Sequence, residues 1–502
     1  MVVMLISLIL AALIALYFYL ARNNKYWQNR GVFCADGALP GVGHMLSVFC
    51  MRTTFPECCR KICNDNRGRS MIGIYNYRLP ALMVLEPKLV KTVMQTNFTN
   101  FHENGLKIDP DLDPLLASNP FFTSGEKWAT GRKRLTYAFS SMHLKIMLES
   151  IKQVCKQFEN FLDKELSKAG KVELELKDLF SRYTTQVVAA VGFGVDGFCF
   201  DDEKADMSFR KICKQIFDPS MRNVILFILV DLIPPLNKIF KMSFIPKHID
   251  RFFRSLVSDV MEQRRKEGIP RNDFLHSMAE LERTEGDKFD VEMLASDAIS
   301  FFIDGYNTSS TAMSFVAFQL ASHSKVQEKL REEVMTILDK YDGVITYEGL
   351  KEMTYMDQVL NESQRITPLG AVLQKQCTKE FELTGSDGLV CRVQPGTEIL
   401  IPVNALQEDP RYWKDPEVFD PERFSPDRKH SIEKFTFLPF GEGPRICAGM
   451  RMALLQMKAG LVAILRKYSL ELSPRTQIPL KMIPGTTLAT PKGGLWIFLQ
   501  QL

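Results

Sequence analysis

Glycine, arginine and cysteine crowd into ten residues, FGEGPRICAG at 440–449. Gly441, Gly443 and Pro444 prescribe a tight turn, and Gly449 opens the apolar run that follows with little side-chain bulk. Cys447 therefore stands just before a helix start and two residues after Arg445. Free backbone N–H groups and a guanidinium there favour thiolate over thiol. A sulfur so presented can bind a metal while hydrogen bonds from behind tune it. An isolated cysteine in a glycine-rich turn would read as an inert hydrophobe; the whole pattern reads as a metal-ligating loop.

A second constellation lies in FFIDGYNTSS at 301–310, inside a long helical pattern. Asp304, Gly305, Asn307 and Thr308 are all mediocre or poor helix formers. Asp304 is three residues from Asn307 and four from Thr308, so the three can share a helix face. Either Asp304 feeds the Thr308 hydroxyl with Asn307 as relay, or it points aside, bonded to another group, and narrows the space beside the helix. Further pairs sit at helical spacing: Glu362 and Arg365 in NESQRITP, and Trp128 and Arg132 in GEKWATGR.

These residues need a scaffold, and the pattern predicts a mainly α chain with small β-sheets, an α+β arrangement. Helical periodicity dominates from about 125 to 345, as in MHLKIMLESIKQVCKQFENFLDKEL and KVQEKLREEVMTILDKY. Strand-like runs are ALMVLE, FELTG, LVCRV and TEILIPVN. Residues 1–21 carry no charge and are long enough to cross a ~30 Å hydrocarbon layer. Arg22, Lys25 and Arg30 follow, which by the positive-inside rule places the rest in the cytosol. A polar hinge over 22–44, with Pro40, Gly41 and Gly43, would lead into one large domain over 45–502.

The 440–449 segment resembles the haem-binding loop of cytochrome P450 enzymes, with Phe440, Gly441, Gly443, Arg445, Cys447 and Gly449 all in place. The resemblance runs the length of the chain, is nearest to insect microsomal members, and implies the cytochrome P450 fold behind a single N-terminal transmembrane helix. It implies haem b (iron protoporphyrin IX) with Cys447 as axial thiolate, whose electron donation promotes O–O cleavage. Phe440 would pack near the sulfur, and Arg445, Trp128 and Arg132 would meet haem propionates. Lys375, in QKQC, stands where the family often has an arginine, and keeps the charge without the planar fork. Glu362, Arg365 and Arg423 would form a buried, fold-locking network. In the oxygen-side helix, Gly305 would let haem and oxygen approach the backbone, and Thr308 would deliver protons. Asp304 stands where a small residue is usual, and Asn307 where the acid is usual.

By the same resemblance the activity is insertion of one oxygen atom from O2 into an apolar xenobiotic or lipophilic endogenous compound. Electrons would come from NADPH through cytochrome P450 reductase, with cytochrome b5 as a further donor, because the chain has no dinucleotide fingerprint. Lys127, Arg132, Lys133, Arg134, Lys434, Arg451 and Lys458 would form the docking face. The enzyme would sit in the endoplasmic reticulum membrane, facing the cytosol, with 224–246 dipping into the bilayer surface. The loop at 101–122 and the helix around Phe301 and Phe302 would line the substrate space. Rival readings are a peroxide-rearranging or dehydrating member that does not use O2, and a non-enzymatic haem-binding protein.

Composition fits this picture. A net charge of +4, from 63 basic and 59 acidic residues, gives no case for nucleic acid. Eleven irregularly spaced cysteines argue for reduced thiols rather than a disulfide framework.

Overall fold

The structure, a computed structural model, describes residues 2–502 except 168–169, 205–207, 218–225, 227–239, 268–272, 285–290 and 487. The longer helices, in chain order, are α1 (Val2–Ala21), α2 (Phe55–Asp65), α3 (Gly125–Ala138), α4 (Ser141–Leu166), α5 (Leu176–Val188) and α6 (Phe209–Phe217). There follow α7 (Lys247–Glu267), α8 (Phe274–Thr284), α9 (Val291–Ser322), α10 (Ser324–Lys340), α11 (Thr354–Ile366) and α12 (Met450–Leu465). The expected strands form beside them. β1 (Met71–Asn76), β2 (Leu79–Val84), β7 (Glu398–Ile401) and β4 (Leu373–Gln376) make one sheet in that order. β3 (Lys171–Glu175), β9 (Trp496–Gln501) and β8 (Tyr468–Leu472) make a second, and β5 (Phe381–Thr384) pairs with β6 (Val390–Val393).

The largest apolar core gathers around α9, with α4, α5, α7, α8 and α12 packed about it. α9 runs unbroken through the polar stretch at 301–310. Its hydroxyls answer the question of why: Thr308, Ser310, Thr311 and Ser314 each donate to the carbonyl four residues back. That back-bonding satisfies the polar groups without a break.

The segment after α1 is docked rather than loose. Trp27 is buried and its indole N–H donates to the Ile74 carbonyl at 2.8 Å. A Cβ at Gly73 would lie 2.5 Å from that ring, so only glycine fits there. The segment around Trp27 thus packs against β1. Among the described residues no helix is long and apolar enough to cross a membrane, and the structure does not show the expected span at 1–21. Of the apolar segment at 224–246, all but Leu226 and 240–246 lies outside the described residues.

One polar knot ties α11 to the segment leading into the cysteine loop. Arg365 grips Glu362 with Nε and Nη2, each at 2.8 Å, and Arg423 Nε donates to the same carboxylate at 3.2 Å. Glu362 and Arg365 expose no surface at all. Gln407 donates to the carbonyls of Gln364 and Arg365 and accepts from the Leu438 N–H, two residues before Phe440. Burying charges is costly unless they are paired, and removing one partner strands the rest. Glu362→Gln is therefore expected to destabilise the fold by about 3–5 kcal/mol, measured by urea unfolding; a change within experimental error would contradict the fold-locking role.

Candidate functional site

The cysteine loop is shaped by its glycines. Gly443 has φ +73°, and a Cβ there would lie 2.0 Å from the Met94 carbonyl oxygen. Pro444 sits inside the short 3-10 turn Gly443–Arg445, and the Cys447 N–H then closes back on the Phe440 carbonyl at 2.9 Å. Gly449 is the N-cap of α12, and a Cβ there would meet nothing within 4 Å. Burial pushes the Cys447 thiol up, while the backbone N–H groups of Gly449 and Met450 and the Arg132 charge pull it down. Burial wins. The positive surroundings read from sequence do not by themselves make a thiolate; a bound metal cation would.

Cys447 is accessible at its surface yet deep within the protein, as is Asp304 on α9. The Asp304 charge reaches the Cys447 thiol, so the two groups border one interior chamber. At its edge three cations converge. Arg445 lies over the Trp128 ring at 4.9 Å and donates to the carbonyls of Pro120 at 3.0 Å and Thr123 at 2.6 Å. Arg132 Nη1 donates to the Ile446 carbonyl at 2.5 Å, and Lys375 Nζ to Asn104 Oδ1 at 2.7 Å. Burial and then the Arg445 charge hold the Lys375 amine down to about 7, and burial lowers Arg445 to about 10. Among the described residues none of the three pairs with a carboxylate, and Arg445 Nε is buried without a partner. Like charges at least half-buried, with the Arg445 Nε donor open, fit a dianion, and two propionates on a haem would supply it.

On α9 the expected trio divides. Asp304 Oδ2 accepts from Asn119 Nδ2 at 3.1 Å, and Thr308 donates to the Asp304 backbone carbonyl at 2.5 Å. Asn307 does not join them. Its Oδ1 accepts from Lys177 Nζ of α5 at 2.7 Å, so the relay through Asn307 is not assembled, and Asp304 is held aside by an amide. The ammonium is a charge-assisted donor to the amide oxygen, and this turns the Asn307 side chain toward α5. Gly305 also departs from expectation: a Cβ there would lie 3.2 Å from Val188 Cγ2, so its missing side chain makes room for α5.

Two further expectations are corrected. Phe301 and Phe302 do not line the chamber; they are buried, Phe301 stacked on Phe274 at 4.6 Å and Phe302 against Phe253 at 5.0 Å. The basic face loses members too. Arg134 is buried against Asp297, Lys458 donates inward to Asp357 and the Leu350 carbonyl, and Arg132 turns to the cysteine loop. Lys127, Lys133, Lys434 and Arg451 remain exposed.

Lys177 escaped the sequence reading because nothing local distinguishes it from a surface lysine. Its Nζ meets Asn307 O, Asn307 Oδ1, Ser310 Oγ and Thr311 Oγ1 within 3.0 Å, with no carboxylate among them. Burial pushes its pKa down to about 7, against the raising effects of Glu175 and Cys213. An unfolded lysine keeps its proton to about pH 10. Between these values the unfolded chain binds a proton the folded one does not, so this group makes stability rise with pH. The urea midpoint of the parent relative to Lys177→Met is therefore expected to increase from about pH 7 to about pH 9; a gap independent of pH would contradict a buried, depressed lysine.

Comparison with known proteins bears on this arrangement. The family model for Cytochrome P450 matches residues 39–498. Cytochrome P450 6a2 of Drosophila melanogaster is 31% identical over 513 aligned positions, covering 99% of each chain. Cytochrome P450 9e2 of Blattella germanica is 31% identical, over 95% of this chain and 94% of its own. Cytochrome P450 6j1 of the same insect is 30% identical over 99% and 97%. With the cysteine loop, the cationic edge and the helical scaffold described, the chain belongs to the cytochrome P450 family, the haem-thiolate monooxygenases, and is of the insect type.

Proposed function

We propose that this enzyme inserts one atom of O2 into a lipophilic small molecule, taking electrons from NADPH through a separate reductase. The observation that carries the reading is the chamber bordered by Cys447 and by the Asp304–Thr308 turn of α9, with unpaired cations at its edge. Cys447 would hold haem b through its sulfur, with Phe440 beside it. Arg132, Arg445 and Lys375 would hold the propionates, with Trp128 stacked on Arg445. When bound, the haem supplies the O2-activating iron centre.

The chain's own groups do the rest. The loop carrying Gly443 and Gly449 fixes the sulfur's position, and the α12 N-terminus donates backbone N–H groups to it. Thr308 presents a hydroxyl that gives its proton to the Asp304 carbonyl and keeps oxygen lone pairs for a donor in the chamber. Asn307, fixed by Lys177, holds an amide where the family's acid stands, so a proton reaching Thr308 must come by way of water or Asp304 rather than from residue 307. Thr308 weighs against a rearranging or dehydrating member that does without O2.

The charge-free segment 1–21, with Met4, Leu5, Ile6, Leu8 and Leu10 exposed, would hold the enzyme at the endoplasmic reticulum membrane. Lys127, Lys133, Lys434 and Arg451 would meet an acidic reductase, with cytochrome b5 as a second donor on the same face. NADPH- and reductase-dependent O2 uptake is the test. Uptake is expected, and reversing these four charges should raise the reductase concentration needed, more strongly at low salt. Peroxide isomerisation without O2 uptake would overturn the reading.

A further inference from the structure

Lys177, half-buried in the first turn of α5, turns its ammonium onto the flank of α9. Three of the atoms it meets are side-chain oxygens: Asn307 Oδ1 at 2.7 Å, Ser310 Oγ at 2.6 Å and Thr311 Oγ1 at 2.7 Å. Both hydroxyls donate their own protons to backbone carbonyls, Ser310 to Tyr306 at 2.9 Å and Thr311 to Asn307 at 2.8 Å. Their oxygens are thus left to accept. An ammonium carries three hydrogens and no acceptor, so this cradle suits the charged form.

A fourth contact carries the consequence. Lys177 Nζ also lies 3.0 Å from the Asn307 carbonyl oxygen. That carbonyl shares one rigid peptide plane with the Thr308 N–H, so holding it from the α5 side fixes the plane from which the Thr308 side chain departs. Thr308 Oγ1 is fixed again where it donates to the Asp304 carbonyl at 2.5 Å. Burial opposes the charge on Lys177 and pushes its pKa down to about 7, against the raising effects of Glu175 and of Cys213 on α6. The Tyr306 ring faces the ammonium at 5.6 Å.

We propose that Lys177 is a positioning residue for Thr308: acting through the Asn307–Thr308 peptide, its ammonium sets where the Thr308 hydroxyl points in the chamber. This rests on the monooxygenase reading above, in which that hydroxyl handles protons on the oxygen side, and adds the residue that orients it. Asn307 serves the same end, its amide oxygen giving the ammonium an acceptor.

The experiment reads the infrared stretch of carbon monoxide bound to the reduced, full-length holoenzyme, a probe that senses the dipoles on the Thr308 side. Lys177→Met, Thr308→Val and the double variant form a cycle. Lys177→Met is expected to shift the stretch beyond the scatter of repeat spectra when Thr308 is present, and to leave it unmoved in the Thr308→Val background. From about pH 7 to about pH 9 the band should move further in the parent than in either single variant, since Asp304 and Lys375 titrate in all three. No shift on Lys177→Met would overturn the proposal, and so would the same shift in both backgrounds, because a charge felt directly needs no threonine. If Lys177→Met does not fold, the pH comparison of parent with Thr308→Val decides alone, and equal movement in the two overturns the proposal. A thiolate-type spectrum without this pattern removes the positioning role only; its absence from the parent removes the haem-thiolate reading and the positioning role with it.

Discussion

Arg445 is the contact on which the site depends. Two residues before Cys447, its guanidinium reaches across to the carbonyls of Pro120 and Thr123 and lies on the Trp128 ring. Two pieces of chain far apart in sequence are thereby set in register: the cysteine loop, and the turn ending at Thr123 with the start of α3 that directly follows it. The same turn carries Asn119, which holds Asp304 at the border of the chamber. One cation thus sets the relation between the sulfur and the oxygen-side carboxylate. A guanidinium can do this because its donors form a rigid planar fork, whereas an ammonium would fix a point and leave the angle free.

The charges around the chamber follow from that geometry. At one edge buried Lys375 and half-buried Arg132 and Arg445 lie without carboxylate partners among the described residues, an arrangement that suits a dianionic cofactor between them. On α9 the pattern is inverted, with a carboxylate and no cation at Asp304. Lys177, which might have answered it, is held on the α5 side of the helix by three side chains and a carbonyl. The Glu362–Arg365–Arg423 knot differs from both. Its one carboxylate is shared by two guanidiniums whose other donors meet backbone carbonyls, so it locks structure and leaves no group free for chemistry.

What could be read from sequence was what is encoded locally. The cysteine loop was legible because glycine, proline and a helix start dictate its conformation within ten residues. Glu362 and Arg365 were legible as a pair by their spacing, and the strands by their alternation. Contacts between distant segments were not. Asn119 meets Asp304 across 185 residues, Lys177 meets Asn307 across 130, and Gln407 meets Leu438 from a segment with no motif. Charge patterning also misled, since Arg134 and Lys458 resemble surface cations until Asp297 and Asp357 are seen beside them. Phe301 and Phe302 failed for a similar reason: an aromatic on a long helix packs against other aromatics more often than against a ligand.

The central claim is that Cys447 binds haem iron as a thiolate despite a pocket that raises its pKa. The most direct measurement is the carbon monoxide difference spectrum of the reduced protein beside that of Cys447→Ser. A thiolate-type band in the parent and its loss in the variant, with haem still bound, is the predicted result. The same spectrum in both proteins, or haem bound without a thiolate band in the parent, would contradict it.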